Sequence, residues 1–379
     1  MNAPRIGVRA SALVFLVACS NGIDSRFKTD ADPNDPAAGD AGPSFNTDID
    51  GGPACIPSSK NYDIPGNNCD DDGDGQADNA AKCDGSLSAT GNATEFAKAL
   101  GICRSASDGG WGIISAEYRA SYGSGGKLND AQHGILTKFG SSLVPREGSA
   151  LGVISSGFAR EFDSAKGTSE CFMQGGPMGN MGASVLSGYP KAVSGCSTSN
   201  VVNDVIVVRL KLRVPANAKG ISFDFNFFTS EWPAFVCSTF NDAFLAVLKS
   251  KAFNGGVPEN ISFDPNKHPV SVNNDFFDRC TPKAATGCYG KPGISTCAGG
   301  ENELKGTGYY CKNTYCGQQS TGGGATGWLQ TKAPVEPGEE IQLDFMIWDT
   351  GDSALDSSTL LDNFQWVAGE TTTVTDRPR

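Results

Sequence analysis

The sequence contains very little histidine, the residue that enzymes use most often to transfer protons. Its 379 residues include only two histidines, His133 and His268. It has neither the G-x-S-x-G nucleophile elbow nor the H-E-x-x-H zinc motif. Carboxylates are plentiful, so a glycosidase that pairs Glu231 with Asp242 or Asp349 remains an alternative. Most aspartates, however, lie in turns rich in glycine and serine, as ordinary turn residues do. We therefore expect the chain not to be an enzyme.

Basic runs and long apolar runs are also missing. The formal net charge is −12 and no stripe of lysine or arginine occurs, which argues against a nucleic-acid partner. After the N-terminus, no segment is long and apolar enough to cross a bilayer. The chain is instead rich in turn formers, with 48 glycines and 20 prolines. These counts and the length favour one large all-β domain with small appendages.

The N-terminus has the features of a bacterial export signal. Arg5 and Arg9 form a charged region that precedes an apolar run at 10–17. The run is too short to span a membrane. The run ends in Leu-Val-Ala-Cys at Cys19, which resembles a lipobox. This resemblance implies cleavage before Cys19 and lipid attachment to it. Ser20 then indicates delivery to the outer membrane, on its surface or its periplasmic face. An ordinary signal peptide followed by a chance cysteine is the alternative.

A signal peptide at 1–18 is therefore followed by a predicted tether at 19–53. The tether carries many aspartates and several prolines but almost no large apolar residues. Such a composition cannot bury enough surface to fold, so we expect a disordered acidic segment. As a flexible coil it would hold the folded part about 30 Å from the lipid.

The number of cysteines agrees with export. Of 13 cysteines, twelve remain once Cys19 is set aside (13 − 1). An even number in an oxidising compartment predicts six disulfides. A zinc site is disfavoured, because the closest pair is the C-K-N-T-Y-C of 311–316 and histidine is scarce. The disulfide candidates are Cys55, Cys69, Cys83, Cys103, Cys171, Cys196, Cys237, Cys280, Cys288, Cys297, Cys311 and Cys316.

The segment 54–86 contains an aspartate-rich loop whose spacing suits calcium. Residues 67–78 read N-N-C-D-D-D-G-D-G-Q-A-D, which contains the D-x-D-x-D-G-x-x-D opening of a calcium loop. The glutamate of a true EF-hand is missing, since Ala81 occupies the twelfth position. The loop instead resembles thrombospondin type 3 and dockerin calcium loops, with flanking cysteines as staples. We predict a structural calcium ion here, and a solvated acidic linker is the alternative. The predicted ligands are Asp70, Asp72, Asp74, the carbonyl of Gln76, and Asp78.

The remaining chain, 87–369, shows the alternating pattern of antiparallel strands. Apolar residues alternate with polar ones at 208–214 and 221–227, which predicts two half-buried strands. Further strands are predicted at 243–248, 341–348 and 361–367. Short helices are predicted at 94–103, capped by Thr94, and at 130–139. The expected fold is a jelly-roll-like β-sandwich with a few short helices, followed by a C-terminal tail at 370–379.

An acidic connection joins the last two predicted strands. Its carboxylates repel one another unless they are solvated or share a cation. A solvated Asp/Gly turn is therefore one interpretation, and a second, weaker calcium site is the other. The metal candidates of this connection are Asp349, Asp352, Asp356 and Asp362.

Several blocks of the sequence resemble one protein family. The stretch 221–245, I-S-F-D-F-N-F-F-T-S-E-W-P-A-F-V-C-S-T-F-N-D-A-F-L, is similar to the core of the choice-of-anchor L domain. The blocks 326–338 and 346–366 match later parts of that domain, and 132–136 and 154–160 match earlier ones more loosely. The resemblance implies a module displayed on bacterial surface proteins. It supplies no catalytic residues.

Together these features predict a lipid-anchored, disulfide-rich surface module for binding or adhesion. Its ligand would be a carbohydrate or a protein. Trp232, Trp328 and Trp348 could stack on sugars, although single tryptophans in strands usually belong to the core. The alternatives are a structural envelope component without a ligand and a polysaccharide hydrolase. A shallow groove lined with aromatics favours the binder, and a deep cleft with two close carboxylates favours the hydrolase.

Overall fold

The computed structural model describes residues 55–107, 110–160, 178–179, 183–273, 276–315 and 318–378, with the backbone alone at 311–315 and 318–321. The predicted signal peptide, Cys19 and the tether lie outside this range. Among the described residues, none of the helices is both long enough and apolar enough to cross a membrane. The chain from Cys55 onward forms one compact unit.

Strands dominate the described chain. Short 3-10 helices occupy Asp130–Gln132, Asn254–Gly256 and Asn302–Leu304. In chain order the other elements are α1 (Ala93–Ala99), β1 (Gly112–Arg119), β2 (His133–Leu136), β3 (Leu151–Ser155), β4 (Val202–Arg213), β5 (Gly220–Thr229), β6 (Ala243–Lys249), β7 (Glu259–Asn260), β8 (Val270–Ser271), β9 (Ala285–Thr286), β10 (Gly293–Ile294), β11 (Cys311–Tyr315), β12 (Gln318–Gly322), β13 (Gly324–Ala325), β14 (Leu329–Pro334), β15 (Glu340–Thr350), β16 (Ser357–Val367) and β17 (Val374–Asp376).

Two large antiparallel sheets form the body of the protein. The first has the order β1-β4-β15-β6-β7, with β8 also paired to β6. The second has the order β17-β14-β5-β16-β3-β2, with β13 also paired to β5. Two small hairpins, β9–β10 and β11–β12, lie outside these two sheets. This arrangement confirms the predicted all-β sandwich.

The core lies between the two sheets and is rich in phenylalanine. Phe223 on β5 meets Phe345 on β15 edge to face, with ring centroids 5.0 Å apart. Phe225 on β5 lies 4.9 Å from Phe244 on β6. All four rings are fully buried, and each such burial stabilises the fold by roughly 1.5–3 kcal/mol. The alternation that predicted these strands therefore reflects contacts across the sandwich.

Strand β5 departs from the predicted half-buried pattern, because all ten of its residues are buried. Its outward side is covered by polar neighbours rather than by water. The Asp224 carboxylate accepts hydrogen bonds from Arg146 Nε, Gln330 Nε2 and Asn363 Nδ2, each at 3.0 Å. Alternation in sequence thus separates two chemically different buried faces, one apolar and one polar.

The predicted helices are shorter than their sequence patterns suggested. Helix α1 ends at Ala99, and its N-cap is Asn92 rather than Thr94. The Asn92 side chain accepts from the backbone of Thr94 and Glu95, and Glu95 accepts from the Asn92 backbone, which forms a capping box. The predicted helix at 130–139 is wrong after its first turn, because β2 pairs with β3 and uses those backbone groups in the ladder.

The aspartate-rich segment packs against the sandwich. The Cys83–Cys103 disulfide joins its end to the chain after α1. Asn217 exchanges two hydrogen bonds with the backbone of Tyr62, at 2.8 and 3.0 Å. The predicted C-terminal tail also contributes to the fold, since β17 pairs with β14. The predicted boundary at 369 therefore does not coincide with the edge of the sheet.

Candidate functional site

The aspartate-rich loop is a tight turn organised by its own carboxylates. Asp70 Oδ1 accepts hydrogen bonds from the backbone of Gly73 and Asp74, at 2.8 and 3.0 Å. Its Oδ2 accepts from Gly75 at 2.9 Å. Gly75 has φ +96°, in the left-handed region that a side chain disfavours. The glycine in the motif is therefore explained by the turn itself.

Three carboxylates of this region lie close enough to share a cation. Oxygen atoms of Asp63, Asp70 and Asp72 all lie within 4.8 Å of one another. Asp63 was not predicted, because it precedes the motif by several residues and belongs to no recognised spacing. Asp63 Oδ1 accepts from the backbone of Asp72 at 3.1 Å and Oδ2 from Asn79 at 3.1 Å. Hydrogen bonds therefore fix it against the loop.

The other predicted ligands have different positions. The Asp78 carboxylate accepts from the backbone of Asn67 and Asn68, at 3.0 and 3.1 Å. The Asp74 carboxylate accepts from Asn79 Nδ2 at 2.7 Å. Among the described residues, neither belongs to the group around Asp63. The carboxylates of Asp74 and Asp78 thus close the loop, while Asp70 and Asp72 face Asp63.

Disulfides support the loop and the surrounding surface. Cys55 is bonded to Cys69 beside the loop. Further disulfides join Cys196 to Cys237 and Cys280 to Cys297. Cys288 is also disulfide-bonded. The side chains of the other predicted partners, Cys171, Cys311 and Cys316, lie outside the described residues.

A groove of about 250 Å³ separates the loop from the sandwich. The lining includes an acidic wall and an aromatic wall. The acidic wall consists of Asp63, Asp72 and Asp74, and the aromatic wall consists of Trp111 and Trp366. The two indoles meet edge to face at 6.4 Å, and both are half-buried. Sequence reasoning missed this pair, because Trp111 directly precedes β1 and Trp366 lies on β16, far away in the chain.

Polar side chains complete the groove and join its two sides. Glu147, Asn363 and Gln365 contribute a carboxylate and two amides to its lining. The Arg104 guanidinium lies 4.8 Å from the centre of the Trp111 ring. It also lies 3.6 Å from Asp72. Arg104 therefore connects the acidic wall to the aromatic wall.

The tryptophans singled out from the sequence are not in this groove. Trp348 is fully buried and donates from Nε1 to Thr350 Oγ1 at 2.9 Å. Trp232 stacks on Phe277 with ring centroids 4.9 Å apart. Trp328 is half-buried and packs against an apolar cluster that contains Phe139 and Phe228. These three side chains contribute to packing, as the core interpretation predicts.

The two histidines also have structural surroundings. His133 is buried and stacks on Tyr118, with the two ring centroids 3.6 Å apart. Burial lowers the pKa of His133. His268 Nδ1 lies 3.1 Å from Asp264 Oδ2 in a turn. Neither histidine lines the groove.

The acidic connection after β15 does not gather its four carboxylates at one point. Asp362 lies within β16, opposite Asp224 of β5, and accepts from the backbone of Arg146 at 2.5 Å. Burial raises its pKa to about 7. Asp352 accepts from the Ala354 backbone at 3.2 Å in the connection itself. Asp362 therefore lies in the strand ladder, whereas Asp352 lies in the connection between β15 and β16.

Asp349 and Asp356 are instead buried, and Asp349 lies beside two acids from another part of the chain, Glu231 and Asp242. Glu231 Oε2 accepts from the Asp242 backbone at 3.4 Å. The Asp349 side chain interacts with the Asp242 carboxylate and with Ser156. Burial, followed by the charge of Asp349, raises the pKa of Glu231 well above its usual value. Burial, followed by the charge of Glu231, also raises the pKa of Asp242 well above its usual value.

Comparison with known proteins identifies the family. The model of the choice-of-anchor L domain matches residues 122–364, which is well over half of the 379 residues. No curated protein and no solved structure matches the chain. The matched region includes the strands β2 to β15 and the buried acids, whereas Trp111 and Trp366 of the groove lie outside it. The chain therefore belongs to the choice-of-anchor L domain family, which marks it as a bacterial cell-surface protein.

Proposed function

We propose that the protein is a lipid-anchored outer-membrane lipoprotein whose sandwich binds carbohydrate in the groove between the aspartate-rich loop and the two sheets. The groove with Trp111 and Trp366 carries this proposal. Calcium has a structural role, as the ion that fixes the acidic wall. Lipid on Cys19 and the acidic tether would hold the groove away from the membrane.

The lining of the groove suits sugar rings. The indole surfaces of Trp111 and Trp366 that line the groove offer apolar contacts to the C–H groups of a sugar. Glu147, Asn363 and Gln365 offer acceptors and donors to its hydroxyls. A protein ligand is the second candidate, but a stable protein interface covers about 800 Å² on each partner. A concave groove of about 250 Å³ favours a small unit such as one part of a glycan.

Calcium would stabilise the acidic wall by removing repulsion. Asp63, Asp70 and Asp72 bring three carboxylates within 4.8 Å of one another. Hard cations that bind six to eight oxygens, as calcium does, prefer such ligands. Since Asp63 and Asp72 also line the groove, the ion would couple calcium concentration to ligand binding. Arg104 beside Asp72 would transmit part of this effect to Trp111.

Polysaccharide pull-down and glycan arrays with the mature chain test the carbohydrate proposal. We expect Trp366→Ala to weaken retention about tenfold, because losing one stacking contact costs about 1.4 kcal/mol. Trp328→Ala is the matched control, since Trp328 is also half-buried but lies outside the groove. Equal losses in the two variants, or no retention of any glycan by the folded wild type, would contradict the proposal.

Calorimetric titration of the mature chain tests the calcium role. The double variant Asp70→Asn/Asp72→Asn should lose one calcium ion relative to the wild type, because it removes charge from the close group. Calcium should also raise the thermal midpoint of the wild type more than that of the variant. Asp130→Asn serves as the control, since its side chain is 92% exposed. Identical titrations for all three proteins would refute the role of the loop.

A further inference from the structure

Another cavity, of about 490 Å³, opens between three loops of the sandwich. The loops lie at 195–197, 237–240 and 289–292, and we call the cavity the Tyr289 pocket. It shares no lining residue with the groove beside the aspartate-rich loop. Its volume lies in the range of pockets that hold small ligands. The Tyr289 pocket is therefore a separate place at which a ligand can bind.

Disulfides and backbone hydrogen bonds hold the three loops together. Cys196 of the first loop is bonded to Cys237 of the second. The third loop runs beside the chain that leads into the second, because the Tyr289 backbone donates to the Ala234 carbonyl at 3.1 Å. Cys288, next to Tyr289, is disulfide-bonded as well. Walls that are fixed before binding lower the entropy cost of holding a ligand.

A glycine lets the second and third loops approach closely. A Cβ at Gly290 would collide with the carbonyl oxygen of Val236 and with the backbone of Cys237. Directly after it, the Lys291 backbone donates to the same Val236 carbonyl at 3.4 Å. The position of Tyr289 and Lys291 relative to the second loop is thus set by the backbone.

The Tyr289 ring is exposed but held in one orientation. The residue is 69% exposed, and its ring stacks on Phe235 with centroids 5.0 Å apart. Phe235 in turn meets Phe240 edge to face at 5.5 Å, and Phe240 also lines the pocket. A supported aromatic ring with a free surface offers apolar contact to the C–H groups of a sugar.

The polar part of the lining carries a positive charge. Ser197 and Thr239 contribute exposed hydroxyls. Among the described residues that line the pocket, Lys291 is the single charged one. The ion pairs found among the described residues do not include it. The groove, by contrast, is lined by four carboxylates and one guanidinium. The two cavities therefore differ in the sign of their charge.

We propose that the Tyr289 pocket binds an acidic sugar unit, one that carries a carboxylate or a sulfate. Tyr289 stacks on the sugar ring, Ser197 and Thr239 bond to its hydroxyls, and Lys291 pairs with the anionic group. Lysine is a compact point charge without the planar fork of arginine, so it suits either anion. A polysaccharide that reaches both the pocket and the groove is retained more strongly, because the second contact is intramolecular.

An acidic peptide is the competing occupant. Extended peptides commonly bind by pairing their backbone with an exposed strand edge. The Tyr289 pocket is bounded by loops, and the backbone amides of Tyr289 and Lys291 already donate within the protein. Hydroxyls around a supported aromatic ring suit a sugar better, so a peptide is treated as one outcome of the test.

The test measures retention of the mature chain on neutral galactan, polygalacturonate and sulfated carrageenan. The Trp366→Ala background keeps the contribution of the groove small. This protein should be retained on at least one acidic polysaccharide more strongly than on galactan. Retention on polygalacturonate alone would identify a carboxylate, on carrageenan alone a sulfate, and on both the charge itself.

Two added variants assign the binding to the pocket. Tyr289→Ala should weaken retention on the acidic polysaccharide about tenfold, the loss of one stacking contact, whereas Tyr289→Phe should keep most of it. Lys291→Gln should weaken it about threefold at low salt and reduce its dependence on salt. The matched controls are Ile294→Ala, 77% exposed, and Lys332→Gln on β14, also exposed. Both controls lie outside the pocket.

Four results would overturn the proposal. They are no preference for either acidic polysaccharide, equal losses in Tyr289→Ala and Ile294→Ala, equal losses in Lys291→Gln and Lys332→Gln, or displacement by oligoglutamate as efficient as by oligogalacturonate. Lys291→Gln changes an exposed side chain and keeps the test available should Tyr289→Ala fail to fold. Because Trp366 is already replaced, failure here leaves the proposed role of the groove untouched.

Discussion

Replacing Asp362 by asparagine should change how the stability of the protein depends on pH. Asp362 is fully buried on β16, where the backbone amides of Arg146 and Asn363 donate to it. The Arg146 guanidinium is directed elsewhere, to Asp224 at 3.0 Å. Burial therefore dominates and raises the pKa of Asp362 to about 7. In an unfolded chain the same group would titrate near its ordinary value of about 3.9.

The direction of the effect follows from proton linkage. Between the unfolded and folded pKa values the folded state holds a proton that the unfolded state has lost. Protonated Asp362 therefore makes its full contribution to the free energy of unfolding below about pH 4, and this contribution is lost as the pH rises through 7. Between pH 5 and pH 7 the wild type should lose about 3 kcal/mol from this group, since each pKa unit corresponds to about 1.4 kcal/mol. The Asp362→Asn variant cannot titrate and lacks this loss.

Chemical unfolding at pH 5, 6, 7 and 8, at one fixed calcium concentration, measures the effect. The free energy of unfolding of Asp362→Asn minus that of the wild type should rise by about 3 kcal/mol from pH 5 to pH 8. Other buried acids contribute equally to both proteins, so the subtraction removes them. The exposed control Asp130→Asn should give a nearly flat difference. Parallel curves for the wild type and Asp362→Asn would show that Asp362 is ionised throughout this range.

Three further predictions concern export, disulfides and the helix cap. Cys19→Ala should abolish lipid attachment, and labelled fatty acid that still enters the variant would contradict the lipobox. Mass spectrometry of the unreduced, denatured mature protein should find no free thiol among the twelve cysteines other than Cys19, and any free thiol would contradict six disulfides. Asn92→Ala should lower the free energy of unfolding by about 1 kcal/mol, because α1 loses its N-cap, whereas no change in a denaturant titration would contradict this role.

The strands were predictable because their pattern is local. The alternation at β4, β5 and β15 arises from side chains that point to opposite faces, and it is visible in any short window. What lies on the second face is not local. The polar side of β5 is covered by Arg146, Gln330 and Asn363, which come from three distant parts of the chain. A window on β5 alone therefore cannot distinguish a solvated face from a buried polar one.

The same limit applied to the acidic sites. Local spacing correctly grouped Asp70 with Asp72, but Asp63 joins them through backbone hydrogen bonds that the spacing does not encode. At the other end of the sandwich, Asp349 meets Glu231 and Asp242 only because strands from two sheets end together. Proximity in sequence instead suggested Asp362, which the ladder of β16 places elsewhere. Pairing of distant strands, rather than composition, decides which carboxylates share a site.

Arg209 and Asp344 form a buried ion pair across the first sheet. Arg209 on β4 lies directly opposite Asp344 on β15 and donates to both of its carboxylate oxygens, at 2.9 and 3.0 Å. The Asp344 side chain is fully buried and that of Arg209 is only 14% exposed. Arg209→Met should therefore cost about 3–5 kcal/mol, because it leaves a buried charge without its partner.

A double-mutant cycle separates the lost pairing from lost packing. Arg209→Met combined with Asp344→Leu should recover most of the stability, since the buried charge is then gone as well. The same two strands offer a control, Arg213 with Glu340, whose side chains are 29% and 62% exposed. Arg213→Met should cost no more than about 1 kcal/mol, because water screens that pair. Similar costs for Arg209→Met and Arg213→Met would mean that water reaches Asp344 and that burial does not govern this sheet face.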